Sequence, residues 1–287
     1  MNGLLAGIAA LLLLASPAQA KPPVWVVSDG DSEMVLFGSV HILPPGVDWM
    51  PAELAAALKT ADDVWFETTV GSAADREMSD LAIRLGRADR GLSLSQLLSR
   101  RDAARLKRVA AAYDLDMALL DGLKPWLAEA FIVQEVLARD SKASTAYGVE
   151  DAVDAAAPPQ AKRQVFATSA EHIAILAGAP LDEQLASLRA TLKSLKPQSK
   201  DFERMLQAWM KGDLRWLQRN AIDPERRLAP AQFKRLVTDR NARWTATLDQ
   251  RLKGRGRTVV VVGMGHLIGR DGLPARLRAL GYSVKGP

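Results

Sequence analysis

Short unbroken apolar runs stand towards both ends of this chain, with longer stretches of helical spacing between them. Val24-Trp25-Val26-Val27 and Ser32-Glu33-Met34-Val35-Leu36-Phe37 flank the polar turn Ser28-Asp29-Gly30-Asp31, a pattern that predicts a β-hairpin. Pro44-Pro45-Gly46 breaks the chain before a helix predicted over Ala52 to Thr60, and Asp62-Asp63-Val64-Trp65-Phe66-Glu67 reads as a further strand. From Asp75 to Asp140 the apolar positions recur at helical intervals, strongest at Leu94 to Leu98, Ala103 to Tyr113 and Pro125 to Ala138. Beyond a loop at Ala157-Pro158-Pro159 come a strand at Gln164 to Ala167 and more helices between Ala170 and Gln218. A helix over Phe233 to Leu252 follows. Arg257-Thr258-Val259-Val260-Val261-Val262 has the unbroken apolar character of a strand buried on both faces. A short helix, Leu273 to Leu280, and a strand, Tyr282 to Lys285, close the chain.

Strands at both ends around a helical middle predict an α+β fold. One domain over residues 21–287 holds a central mixed β-sheet, built from N- and C-terminal strands and flanked by a largely helical middle section. Residues Met1 to Ala20 contain no charged side chain, carry an apolar run from Leu4 to Ala15 and end in Ala18-Gln19-Ala20. That is the layout of a signal peptide cleaved after Ala20, giving a periplasmic or secreted protein. The run is shorter than the roughly 18 apolar residues that read as a span, so no stable membrane span is expected after cleavage. Composition adds mainly exclusions. With 48% hydrophobic and 25% charged residues the chain is an ordinary globular one. Its net charge of +5, from interleaved acids and bases, is too weak a field for a nucleic-acid partner. The absence of cysteine excludes disulfides, thiolate metal sites and a cysteine nucleophile.

The chemistry must then come from the three histidines and the acids. Two of the three, His41 and His266, share one context: an apolar strand running into Gly38-Ser39-Val40-His41 and into Gly263-Met264-Gly265-His266. A glycine where a strand meets a site lets the backbone approach closely, so that the imidazole can turn into a pocket. Glu67 is the first carboxylate after the apolar Val64-Trp65-Phe66, and so sits at a strand end as well. Arg240 falls on the apolar stripe Phe233, Leu236, Val237, Trp244 and Leu248, where its charge needs a partner or an anion unless the head reaches water. His172 has no glycine approach and reads as a surface or packing histidine.

Taken in order, Gly38 to Pro44, Val64-Trp65-Phe66-Glu67, Leu123-Lys124-Pro125-Trp126, Tyr147-Gly148-Val149-Glu150, Asp239-Arg240-Asn241-Ala242-Arg243-Trp244 and Val262 to Leu267 resemble the TraB/GumN family across almost the whole mature chain. That family is grouped with Tiki proteins and, more remotely, with erythromycin-esterase-like and ChaN-like proteins. The resemblance implies active-site roles for His41, His266, Glu67 and Arg240, supported by Gly38, Gly263, Gly265, Glu150 and Asn241. Through the Tiki branch it implies a metal-dependent hydrolase acting on a peptide or small-molecule substrate. His41, His266 and Glu67 would then hold a divalent ion such as manganese, cobalt or zinc, with Glu67 as ligand or general base and Arg240 orienting it or stabilising an oxyanion. The other branches imply alternatives: a haem- or small-ligand-binding regulatory protein, or a metal-free esterase-like enzyme using the two histidines as acid and base. One departure stands out. The family pattern has a glutamate where this chain has Ala167, in Val165-Phe166-Ala167-Thr168.

Overall fold

The computed structural model describes residues 21–196 and 199–287, so the leader read at Met1–Ala20 lies outside the described residues. Six strands form one sheet: β1 (Val24–Ser28), β2 (Ser32–Ser39), β3 (Asp63–Phe66), β4 (Lys162–Val165), β5 (Gly256–Gly263) and β6 (Ser283–Lys285), in the order β4-β3-β5-β2-β1-β6. β1 pairs antiparallel with β2 as the hairpin pattern requires, and β6 pairs antiparallel with β1. The other contacts, β2 with β5, β5 with β3 and β3 with β4, are parallel. The sheet is thus mixed, and its centre is a C-terminal strand inserted between two N-terminal ones.

β5 has no polar face because both of its faces are covered. Val259 and Val261 pack with Val35, Phe37, Val64 and Phe66 beneath the helices Ala52–Lys59, Val149–Ala156 and Asp201–Lys211. Val260 and Val262 pack with Met34 and Leu36 beneath Asp239–Leu252 and Leu273–Ala279 on the other side. Alternate side chains of one strand therefore feed two cores, which is why the run is apolar throughout. A third apolar cluster joins the helices Arg100–Ala112, Pro125–Ser141 and Leu181–Ser194 away from the sheet.

Two elements differ from the sequence reading. β4 lies two residues earlier than expected, because Thr168 caps the next helix: its hydroxyl accepts from the Glu171 N–H, while the Glu171 side chain accepts from the Thr168 N–H. The helix expected over Phe233 to Leu252 is interrupted by a wider π-helical turn at Lys234–Thr238, directly before Arg240. Such turns insert one residue and shift the helix face, and they recur at functional sites. Among the described residues no helix is long and apolar enough to cross a membrane.

Candidate active site

Because β2, β5, β3 and β4 are parallel, their C-terminal ends share one edge of the sheet, where open sheets of this kind bind ligands. Ser39 is level with Gly263, and Phe66 with both Val261 and Val165. The residues just beyond these positions, His41, Glu67, Ala167 and His266, are therefore delivered to one place by strand register alone.

Glu67 is the centre of the cluster. Its Oε1 accepts from the Gly263 N–H at 2.6 Å, and its Oε2 faces Arg240 Nη2 at 2.9 Å. Both partners of that ion pair are buried. Removing one member of such a pair leaves an uncompensated charge at a cost of about 3–5 kcal/mol. Arg240 is fixed from its other side by Trp244, whose ring lies 4.4 Å from the guanidinium carbon. Burial alone would push the Glu67 carboxyl up, but His266, Arg240, His41 and the Gly263 N–H outweigh it and hold the carboxyl at about 2.

The two G-x-x-H histidines are held alike and charged differently. His266 Nδ1 meets Asn241 Oδ1 at 2.6 Å, and Asn241 Nδ2 donates to the carbonyls of His266 and Asp271. Its ring rests on Trp244 at 4.4 Å, the end of an aromatic row running through Phe166 to Trp65. His266 Nε2 is thereby turned to Glu67 Oε1, 3.5 Å away. Burial, with the nearby Arg240 and His41, brings this imidazole down to about 4 against the pull of Glu67, so it is neutral near pH 7. His41 Nδ1 meets Glu150 Oε1 at 2.7 Å, and the charge of Glu150 raises His41 to about 9. Its side chain remains 59% exposed, against 8% for His266, so His41 is the imidazole that an incoming molecule meets first.

The glycines are not equivalent. A β-carbon on Gly263 would lie 3.0 Å from Glu67 Oε1 and 3.2 Å from His41 Nε2, so only glycine lets these atoms gather around that backbone N–H. A side chain on Gly38 would press on the Met264 backbone at 3.2 Å. Gly265 departs from the expected close approach, since the nearest atom to an added β-carbon is the Ile222 side chain at an ordinary 3.5 Å. At Gly148, within the Tyr147-to-Glu150 motif, a side chain would collide with the His41 carbonyl. Its lack of bulk seats the helix Val149–Ala156 against the His41 loop and brings Glu150 to His41.

His172 is a packing histidine, one of the two roles its sequence context suggests. It stands in the first turns of the helix Ser169–Ala177, half-buried, near enough to Glu67, Arg240 and His41 to feel their charges, and burial lowers its pKa. Its Nδ1 is buried without a hydrogen-bond partner among the described residues. The signal for its position was a strand followed by a capping box, Thr168 to Glu171, but the partner strand of β4 was not readable from sequence. Ala167, one residue before that cap, donates its N–H to the Glu67 carbonyl at 3.1 Å. The carboxylate that the family pattern puts there would start beside Glu67, where this chain has a methyl group.

Among the described residues no group of three or more His, Asp or Glu side chains is gathered closely enough to hold a metal ion. Both oxygens of Glu67 are engaged, by Gly263 and Arg240. The two imidazoles nevertheless have the second-layer partners that metal-bound histidines have, with Nδ1 tied and Nε2 left for the site.

A single α+β domain that gathers histidine, glutamate and arginine at the ends of parallel strands is the class of protein defined so far. Residues 23–286 match the TraB/PrgY/gumN family, and the chain belongs to it. The uncharacterized protein YbaP of Escherichia coli (strain K12) is 26% identical over 258 residues, covering 90% of this chain and 92% of the relative. YbaP of Shigella flexneri matches to the same extent. No solved structure matches.

Proposed function

We propose that this protein is a hydrolase, cutting a peptide or related amide bond at the cluster of His41, Glu67 and His266. The observation that carries the reading is the pairing of two fixed imidazoles of opposite protonation around one ionised carboxylate. Groups whose environments push their pKa values apart make natural acid and base partners. In this reading the neutral His266 takes a proton from the attacking water, and its charged form is then stabilised by Glu67. The protonated, solvent-facing His41 gives a proton to the leaving nitrogen, with Glu150 holding its ring. Arg240 keeps Glu67 ionised and in position. The leader read at Met1–Ala20 puts this activity in the periplasm or outside the cell.

A second reading is favoured by one observation, that each Nδ1 is tied while each Nε2 faces the site, that of His266 towards Glu67. His41 and His266, with Glu67, would hold a divalent ion such as manganese, cobalt or zinc. The ion would supply a water of lowered pKa.

Turnover of quenched fluorescent peptide mixtures, before and after exhaustive chelation, tests both. Activity that survives chelation and falls about a hundredfold or more in His41→Gln and His266→Gln supports the acid–base route. Activity lost on chelation and restored by manganese, cobalt or zinc supports the metal route. An inert wild-type protein, or unchanged rates in both variants, overturns the hydrolase reading.

A further inference from the structure

Next to the catalytic cluster lies a cavity of about 400 Å³ that the chemistry described above does not use. Three of its wall residues are chain neighbours of the site. Ile42 follows His41, and Ile175 lies one helical turn beyond His172. Leu236 lies one turn before Arg240 and accepts a hydrogen bond from its Nη1 at 3.5 Å. Trp126 and Val133, on the helix Pro125–Ser141, line it as well.

Its surface is mainly apolar, and each charged side chain on its wall has at least one partner. Arg235 pairs with Glu183 at 2.5 Å, and Glu129 accepts from Ser187 and Thr191 at 2.8 and 2.6 Å. Three buried polar atoms of the wall have no hydrogen-bond partner among the described residues: Gln184 Oε1, Arg235 Nε and Trp126 Nε1. Trp126 is 7% exposed, and its Nε1–H is buried with no acceptor among the described residues. An unanswered buried donor costs about 1–3 kcal/mol, and a carbonyl brought in by a ligand is a group that could answer it.

We infer that this cavity is the specificity pocket of the enzyme, taking a large uncharged side chain, aliphatic or aromatic, of a peptide substrate whose scissile bond lies over His41. The inference rests on the hydrolase reading for its purpose, but the pocket itself can be tested by binding alone. Its volume falls within the range of small-ligand sites and exceeds the needs of a methyl group.

The experiment is ligand-observed NMR titration of the full chain with the N-acetyl, N-methylamide derivatives of glycine, alanine, leucine and phenylalanine. Affinity should rise with apolar side-chain size, by about tenfold or more from glycine to leucine. Ala130→Trp, at a solvent-exposed wall position, should abolish the rise. Val133→Phe guards against a misfolded first variant. His41→Ala should leave the rise intact. Affinities independent of side chain, or a rise that persists in both folded blocking variants, overturn the pocket. A normal rise in a protein that cleaves no peptide leaves the pocket standing and removes the hydrolase reading instead.

Discussion

The difference between His41 and His266 originates in a charged neighbour for the first and in burial for the second. Glu150 gives His41 a negative partner, whereas Asn241 offers His266 a neutral oxygen inside a buried, cation-rich environment. Replacing Glu150 by glutamine keeps the size of the side chain and removes the charge. The His41 titration, followed by its ring proton shifts, should therefore move from about 9 towards the ordinary 6.5. His266 should stay near 4. A His41 midpoint unmoved by Glu150→Gln would show that Glu150 is not what charges it. With three histidines in the chain, one variant of each assigns the signals.

At the scale of elements, the strand ends decide which residues matter. Gly263 ends β5 and donates its N–H to Glu67 where a β-carbon would strike both Glu67 and His41. Gly265, two residues on, has ordinary space around it. Gly263→Ala should therefore destroy turnover and displace the His41 titration while the sheet survives, as read by circular dichroism and the tryptophan emission. Gly265→Ala should retain most of both, and equal damage from the two changes would contradict the close-approach account. Much of this was legible beforehand. The apolar runs located all six strands to within a residue or two, and the paired G-x-x-H motifs with Glu67 and Arg240 named residues that the fold brings together. What stayed hidden depends on which strands are neighbours. Nothing in Lys162–Val165 announces that it pairs with β3, so His172 could not be referred to Glu67. Gly148 stood within the Tyr147-to-Glu150 motif, but its contact with the His41 carbonyl was not readable from it. The π-helical turn before Arg240 was equally invisible, because the apolar spacing on either side still reads as one helix.

For the molecule as a whole, the site makes stability depend on acidity. His266 is held near 4 in the fold against 6.5 when free, so the unfolded chain binds its proton first. Stability contributed by keeping it neutral is complete above pH 6.5 and is lost as pH falls towards 4. Glu67, held near 2 against 4.5, contributes stability that is present above 4.5 and disappears as pH falls through about 2. Denaturant melts should therefore weaken by a few kcal/mol between pH 6.5 and 4. His266→Gln should flatten that first limb, and an unchanged slope in this variant would assign the acid sensitivity elsewhere.

The insertion of β5 between β2 and β3 has a consequence for the order in which the molecule can be made. Ser32 lies beside Gly256, and Asp63 beside Thr258, so the central pairings join segments separated by most of the chain. Loops of that length must close before the sheet gains from them, and topologies dominated by such distant contacts fold slowly. Until the last segment is synthesised, the inner edges of β2 and β3 have no partner and resemble the strand edges that aggregate. The segment Gly256–Gly263 is therefore the key that joins the two halves of the sheet into one closed domain.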